Sequence, residues 1–278
     1  MVRPNLFLVG FQRCGSTTLF HLLLSHPKIA GTKPKETFAL VDNNFEHFNP
    51  VNNVSNEQFS WAPYFEQVEG FKYFLEASVC NFYQKRALDY ITSISDVKVI
   101  FIIRDPIERF ISNFRYHGQG GIHLPPGIDI NTYFDLIQRG EIHKEPLRYG
   151  VEHGLYTKYM RPWITRLGAE NVLVTSLNNI RNDIDEESVR IYSFLGLEPI
   201  KSTLNIKENS SQQIKNQKLH AWLIKRFGGY NLQNTWAYSF YSQFNTTKKL
   251  KNVNLSSSVI SSLKWTYADE YQNFSDKF

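Results

Sequence analysis

Asn5-Leu6-Phe7-Leu8-Val9-Gly10-Phe11-Gln12-Arg13-Cys14-Gly15-Ser16-Thr17-Thr18 runs from an apolar stretch through a glycine-bearing turn into a row of hydroxyls. Asn5–Val9 reads as a short buried strand. Thr17–Ser25 reads as a helix, with Leu19, Leu22, Leu23 and Leu24 apolar and Pro27 as its stop. A strand that turns directly into a helix aims backbone N–H groups, and the positive end of the helix dipole, at an anion. Gly10 and Gly15 bracket four residues, the spacing of a phosphate cradle. A nucleotide-hydrolysing cradle would next place Lys and then Ser or Thr; here Ser16 holds the Lys position and Arg13 is the one cation of the loop. The pattern therefore disfavours hydrolysis of ATP or GTP. It suits a 5′-phosphate or phosphosulfate, gripped by the Arg13 fork and by donors from Ser16, Thr17 and Thr18.

Beyond this segment strand and helix signals alternate. Phe71–Glu76 has strand character and Gln84–Ser93 reads as a helix. Val97–Ile103 is so rich in β-branched residues that it predicts a strand buried on both faces, as in a parallel sheet. Pro106–Tyr116, Ile130–Gln138, Leu155–Leu167 and Asp183–Leu195 read as helices, and Val172–Ser176 as another strand. Gly118–Gly127 reads as a loop, and the last eighty residues as mostly helical, ending near Ser256–Phe274. The expectation is one α/β domain: a central parallel sheet flanked by helices, with a helical C-terminal part. The 278 residues carry a net charge of +5, which favours an anionic ligand but is too small to demand nucleic acid. Two cysteines cannot form a disulfide scaffold, and no apolar run is long enough to cross a membrane. With no secretory signal before the first strand, a cytoplasmic setting is expected. The histidines form no H-x-x-x-H pair and the cysteines are far apart, so no metal is expected.

A second anion site follows the strongest strand, in Arg104-Asp105-Pro106-Ile107-Glu108-Arg109-Phe110-Ile111-Ser112. Arg104 ends a strand, where open α/β sheets bind ligands, and Ser112 lies about two turns along the next helix. Together the two segments resemble the sulfotransferases that use 3′-phosphoadenosine 5′-phosphosulfate (PAPS). Gln-Arg-Cys-Gly-Ser-Thr-Thr-Leu resembles their 5′-phosphosulfate loop, and the Arg104 segment their Arg-x-Pro-x-x-Arg-x-x-Ser motif for the 3′-phosphate. Lys35-Glu36-Thr37-Phe38 and Gly154-Leu155-Tyr156 with Trp163 are weaker echoes. The likeness is greatest to the carbohydrate and heparan-sulfate-type branch and covers roughly residues 5–197.

The resemblance implies a P-loop-like sulfotransferase fold, PAPS as sulfuryl donor and PAP as product. It implies that Arg13, Cys14, Gly15, Ser16, Thr17 and Thr18 contact the 5′-phosphosulfate, and Arg104 and Ser112 the 3′-phosphate. Glu36 takes the place of the catalytic base, with Arg13 stabilising the departing phosphate. Lys35 and Glu76 are candidates for acceptor contacts, and a carbohydrate hydroxyl is the expected acceptor. Phe38 departs from the His that some heparan-type members carry two residues after the base. Trp163 is expected in the core. Lys207, Lys215 and Lys218 fall where relatives cover the adenosine with a basic loop. Two other readings stay open at this point: a P-loop nucleotide kinase, and a non-catalytic module that binds anionic glycans.

Overall fold

A computed structural model describes residues 2–118, 124–125, 127–145, 147–201, 213–214, 216, 246–247 and 253–278. His123, part of the Gly118–Gly127 loop, Lys207, Lys215, Lys218 and most of the expected helical C-terminal stretch lie outside the described residues. The chain divides into two compact units. The first comprises Met1–Asp105, Tyr156–Ile206 and Glu270–Phe278; the second comprises Pro106–Leu155 and Lys207–Asp269.

The first unit holds a five-stranded, all-parallel sheet. Its strands are β1 (Leu6–Gly10), β2 (Ile29–Gly31), β3 (Tyr73–Glu76), β4 (Lys98–Ile103) and β5 (Val172–Ser176), in the spatial order β2-β3-β1-β4-β5. Every residue of β1 is buried, as are the last five of β4. This matches their unbroken apolar runs, because strands covered on both faces have no reason to alternate. The strand order reverses direction at β1, so ligands are expected beside the carboxyl ends of β1 and its neighbours β3 and β4.

Helix α1 (Ser16–Leu24) leaves the end of β1 and α2 (Lys85–Thr92) precedes β4. The Asp42 carboxylate accepts the first two N–H groups of α2, from Lys85 and Arg86, both at 2.9 Å. That remote cap ties the segment after β2 to the body of the unit. Helix α5 (Tyr156–Leu167) carries Trp163, which is 1% exposed and donates its indole N–H to the Phe82 carbonyl at 3.1 Å. The core position expected for this Trp is therefore observed. Helix α6 (Leu177–Asn182) follows β5 without a break and was not read from the sequence. Helix α7 (Ile184–Phe194) has Asp183 as its N-cap and Gly196, at φ 58°, just past its end.

The second unit contains α3 (Pro106–Asn113), α4 (Ile130–Gln138) and α8 (Ser257–Thr266). Helix α3 is shorter than the sequence suggests, since residues 114–118 continue as a π-helical turn. Tyr133 stacks against Phe110 and Phe114, with centroids 5.3 and 5.4 Å away. Its hydroxyl donates to the Leu147 carbonyl at 2.7 Å. The pair β6 (Gln213–Ile214) and β7 (Thr246–Thr247) is antiparallel, within the stretch expected to be helical. Helix α9 (Ala268–Asn273) brings the chain back into the first unit at Glu270.

Candidate active site

The loop from Phe11 to Gly15 is shaped by two left-handed residues, Arg13 (φ 66°) and Gly15 (φ 92°). A side chain at Gly15 would also collide with Leu177, whose Cδ1 lies 2.6 Å from where a Cβ would stand. Only glycine meets both conditions. Helix α1 then starts at Ser16, and its N-cap Gly15 has no side chain with which to cap the first-turn N–H groups. A turn with left-handed residues leading into an uncapped helix start is the donor set an anionic group needs. Ser16 and Thr18 are buried at 8% and 7% exposure, whereas Thr17 faces outward. Cys14 is turned inward. Its N–H reaches the Phe11 carbonyl at 3.4 Å, and its thiol lies 3.7 Å from the Gln12 carbonyl and 3.6 Å from the Tyr156 hydroxyl.

Tyr156 joins this loop to the turn that carries Arg104. Its hydroxyl donates to the Arg104 carbonyl at 2.6 Å while touching Cys14. The ring packs on Phe11 at 4.6 Å and is fully buried. Beside it, Tyr271 donates to the Asp105 carboxylate at 2.9 Å. Arg13 and Arg104 are thus carried by turns at the ends of adjacent strands, and a single phenol bonds to both turns. Ser112 lies on α3 in the second unit. The sequence pointed to Tyr156 only as part of a family echo; its bridging role depends on a contact 142 residues away from Cys14.

Lys35 and Glu36 follow β2. The Lys35 ammonium lies 3.0 Å from Glu36 Oε1 and donates to the Ala77 carbonyl at 3.4 Å. It also lies 5.9 Å from the centre of the Phe20 ring on α1. Their side chains are 19% and 34% exposed, so the pair sits half-buried between α1 and the end of β3.

Glu76, the last residue of β3, has a different setting from an acceptor contact. It is fully buried. Its Oε1 accepts from Thr37 Oγ1 (2.9 Å), the Ser78 N–H (3.0 Å) and the Ser78 hydroxyl, and its Oε2 accepts from Asn81 Nδ2 (2.9 Å). Burial pushes this carboxyl above the ordinary range, hydrogen bonds from Ser78 and Thr37 oppose the rise, and the nearby Glu36 charge adds to it. Burial likewise pushes the Cys80 thiol well up, with Glu36 and Glu76 adding to the shift. Next to this network, Phe38, Phe45 and His47 form an aromatic group, with Phe38 and His47 at 4.7 Å. Among the described residues no cluster of His, Cys, Asp or Glu could hold a metal ion.

The family described as "Sulfotransferase domain" matches residues 3–227. Mouse heparan sulfate glucosamine 3-O-sulfotransferase 3A1 is 24% identical over 206 residues, covering 71% of this chain and 47% of that protein. Mouse sulfotransferase 2A1 is 26% identical over 127 residues, covering 45% and 41%. The chain spans less than half the length of these curated relatives. A sulfotransferase from Alicyclobacillus acidocaldarius superposes with a TM-score of 0.61 at 20% identity, over 86% of this chain and all of that one. Mouse sulfotransferase SULT7A1 complexed with PAP gives 0.54 at 13% identity, over 97% and 86%. The parallel sheet, the uncapped loop after β1 and the match over most of its length establish that this chain belongs to the sulfotransferase family.

Proposed function

We propose that this chain, acting as one catalytic domain, transfers the sulfuryl group of PAPS to a carbohydrate hydroxyl and releases PAP. The observation that carries the reading is the Tyr156 bridge, which fixes the Arg13 loop and the Arg104 turn beside one another. The PAP complex of a structural neighbour supports the donor. The heparan sulfate relative supports the acceptor class.

The bound nucleotide supplies an activated sulfuryl group on a phosphate leaving group. Arg13 and the uncapped N–H groups of α1 meet the negative charge of the 5′ end, where donors held in advance are worth most. The Arg104 guanidinium takes the 3′-phosphate. Glu36 accepts the proton of the acceptor hydroxyl on a carboxylate oxygen, as a general base. Lys35, paired with Glu36, fixes the orientation of that carboxylate. Nearly all of the catalysis is then positioning and charge, as in the related transfer of phosphoryl groups.

The test is to incubate the full chain with PAPS and a panel of glycans, phenols and hydroxylated lipids, and to weigh the products by mass spectrometry. A sulfated glycan formed in step with PAP is expected; sulfation confined to the phenols or lipids overturns the carbohydrate acceptor. Glu36→Gln should bind PAP as before and turn over about 10²-fold more slowly or worse. Near-normal turnover would remove Glu36 from the role.

A further inference from the structure

We propose that Glu76 is a positioning residue, which holds the backbone immediately after Glu36 in its reactive conformation; this rests on the reading of Glu36 as the base. Glu76 reaches that backbone through two hydroxyls. The Ser78 hydroxyl, which donates to Glu76, accepts the N–H groups of Thr37 (2.9 Å) and Phe38 (3.0 Å). The Thr37 hydroxyl, which also donates to Glu76, accepts the Ala39 N–H at 3.2 Å. One buried carboxylate therefore orients the acceptors of three successive N–H groups, beginning one residue after Glu36.

The segment needs such a hold. Phe38 sits at φ 53°, a left-handed conformation that a non-glycine side chain adopts only when its surroundings impose it. A hydroxyl that loses its own acceptor is free to rotate away from the N–H it was serving. Removing the carboxylate would therefore release Thr37, Phe38 and Ala39 together, and Glu36 with them.

Among the described residues every group that hydrogen-bonds to the Glu76 carboxylate is a donor, so the hold requires an acceptor and not a charge. A glutamine offers the same oxygen to Thr37 and Ser78. Its amide nitrogen would face Asn81 Nδ2, but the buried Asn81 Oδ1 has no hydrogen-bond partner among the described residues. Turning the Asn81 amide over would present that oxygen to the new N–H. The geometry thus separates two substitutions at one position: Glu76→Gln preserves the hold and Glu76→Ala removes it.

The experiment measures kcat, KM for PAPS and Kd for PAP on the full chain, with whichever acceptor gives most product in the panel. Glu76→Ala should lower kcat about 10²-fold, while KM for PAPS and Kd for PAP stay within about two-fold. Glu76→Gln should stay within about five-fold of wild type. In the Glu36→Gln background, Glu76→Ala should cost almost nothing more, because it acts through the group already removed. If Glu76→Ala yields no folded protein, Ser78→Ala serves instead; it keeps the carboxylate, removes the shared hydroxyl and should lower kcat at least about ten-fold. Losses that multiply in the double variant, wild-type turnover in Glu76→Ala or Ser78→Ala, or a Glu76→Gln enzyme as slow as Glu76→Ala would each overturn the positioning role. A Glu36→Gln enzyme with normal turnover would instead overturn the base and this proposal with it, and that variant alone reports it.

Discussion

At Tyr156 a single hydroxyl contacts both the Arg13 loop and the Arg104 turn, and removing it isolates the contribution of that link. Tyr156→Phe keeps the ring on Phe11 and removes the hydroxyl that bonds to Arg104 and touches Cys14. A lost buried hydrogen bond should reduce stability by about 1 kcal/mol, read from urea unfolding. PAP affinity should fall several-fold, since both turns lose their common anchor; an unchanged Kd by calorimetry would show that the turns do not depend on it. The residues of those turns were legible in the sequence because glycine spacing and strand-to-helix order are local. The surroundings of Glu76 were not. Its partners Thr37 and Ser78 approach it from two chain segments, and the contact with Thr37 spans 39 positions. An acidic residue at a strand end looked available to a ligand, whereas the fold closes four donors around it.

At the scale of elements, periodicity located most of what is observed. Ile130–Gln138 and Val172–Ser176 agree with the sequence reading at both ends, and β4 differs by one residue. Short elements escaped: α6 has six residues and merges with the helix signal after it, and the three residues of β2 are too few to show a period of two. Also beyond local reading is what starts α5. The Glu270 carboxylate, 2% exposed, accepts the Thr157 N–H at 3.1 and 3.2 Å and its hydroxyl at 3.0 Å. A negative charge there satisfies an otherwise orphaned donor and faces the positive end of the helix. Glu270→Ala should therefore cost about 1–2 kcal/mol in urea unfolding, and Glu270→Gln, which keeps an acceptor, less than half as much. Equal costs for the two would mean that packing, not the cap, is what Glu270 supplies.

For the molecule as a whole, the donor site should be visible as ligand-linked stability. PAP at about one hundred times its Kd should stabilise the folded chain by about 2.7 kcal/mol, seen as a rise in melting temperature. ATP with Mg²⁺ should do much less, because Ser16 stands where a nucleotide-hydrolysing loop carries its Lys. An equal response to both would count against a site built for the sulfuryl donor. The central strand β1 precedes both of its neighbours in the chain, for Leu6 pairs with Leu75 on one side and Lys98 on the other. During synthesis one edge of this buried strand stays open until β3 is made and the other until β4 is made. Slow refolding and a tendency of short ribosomal products to clump should accompany this design, and a chaperone that shelters nascent chains should raise the yield of active protein.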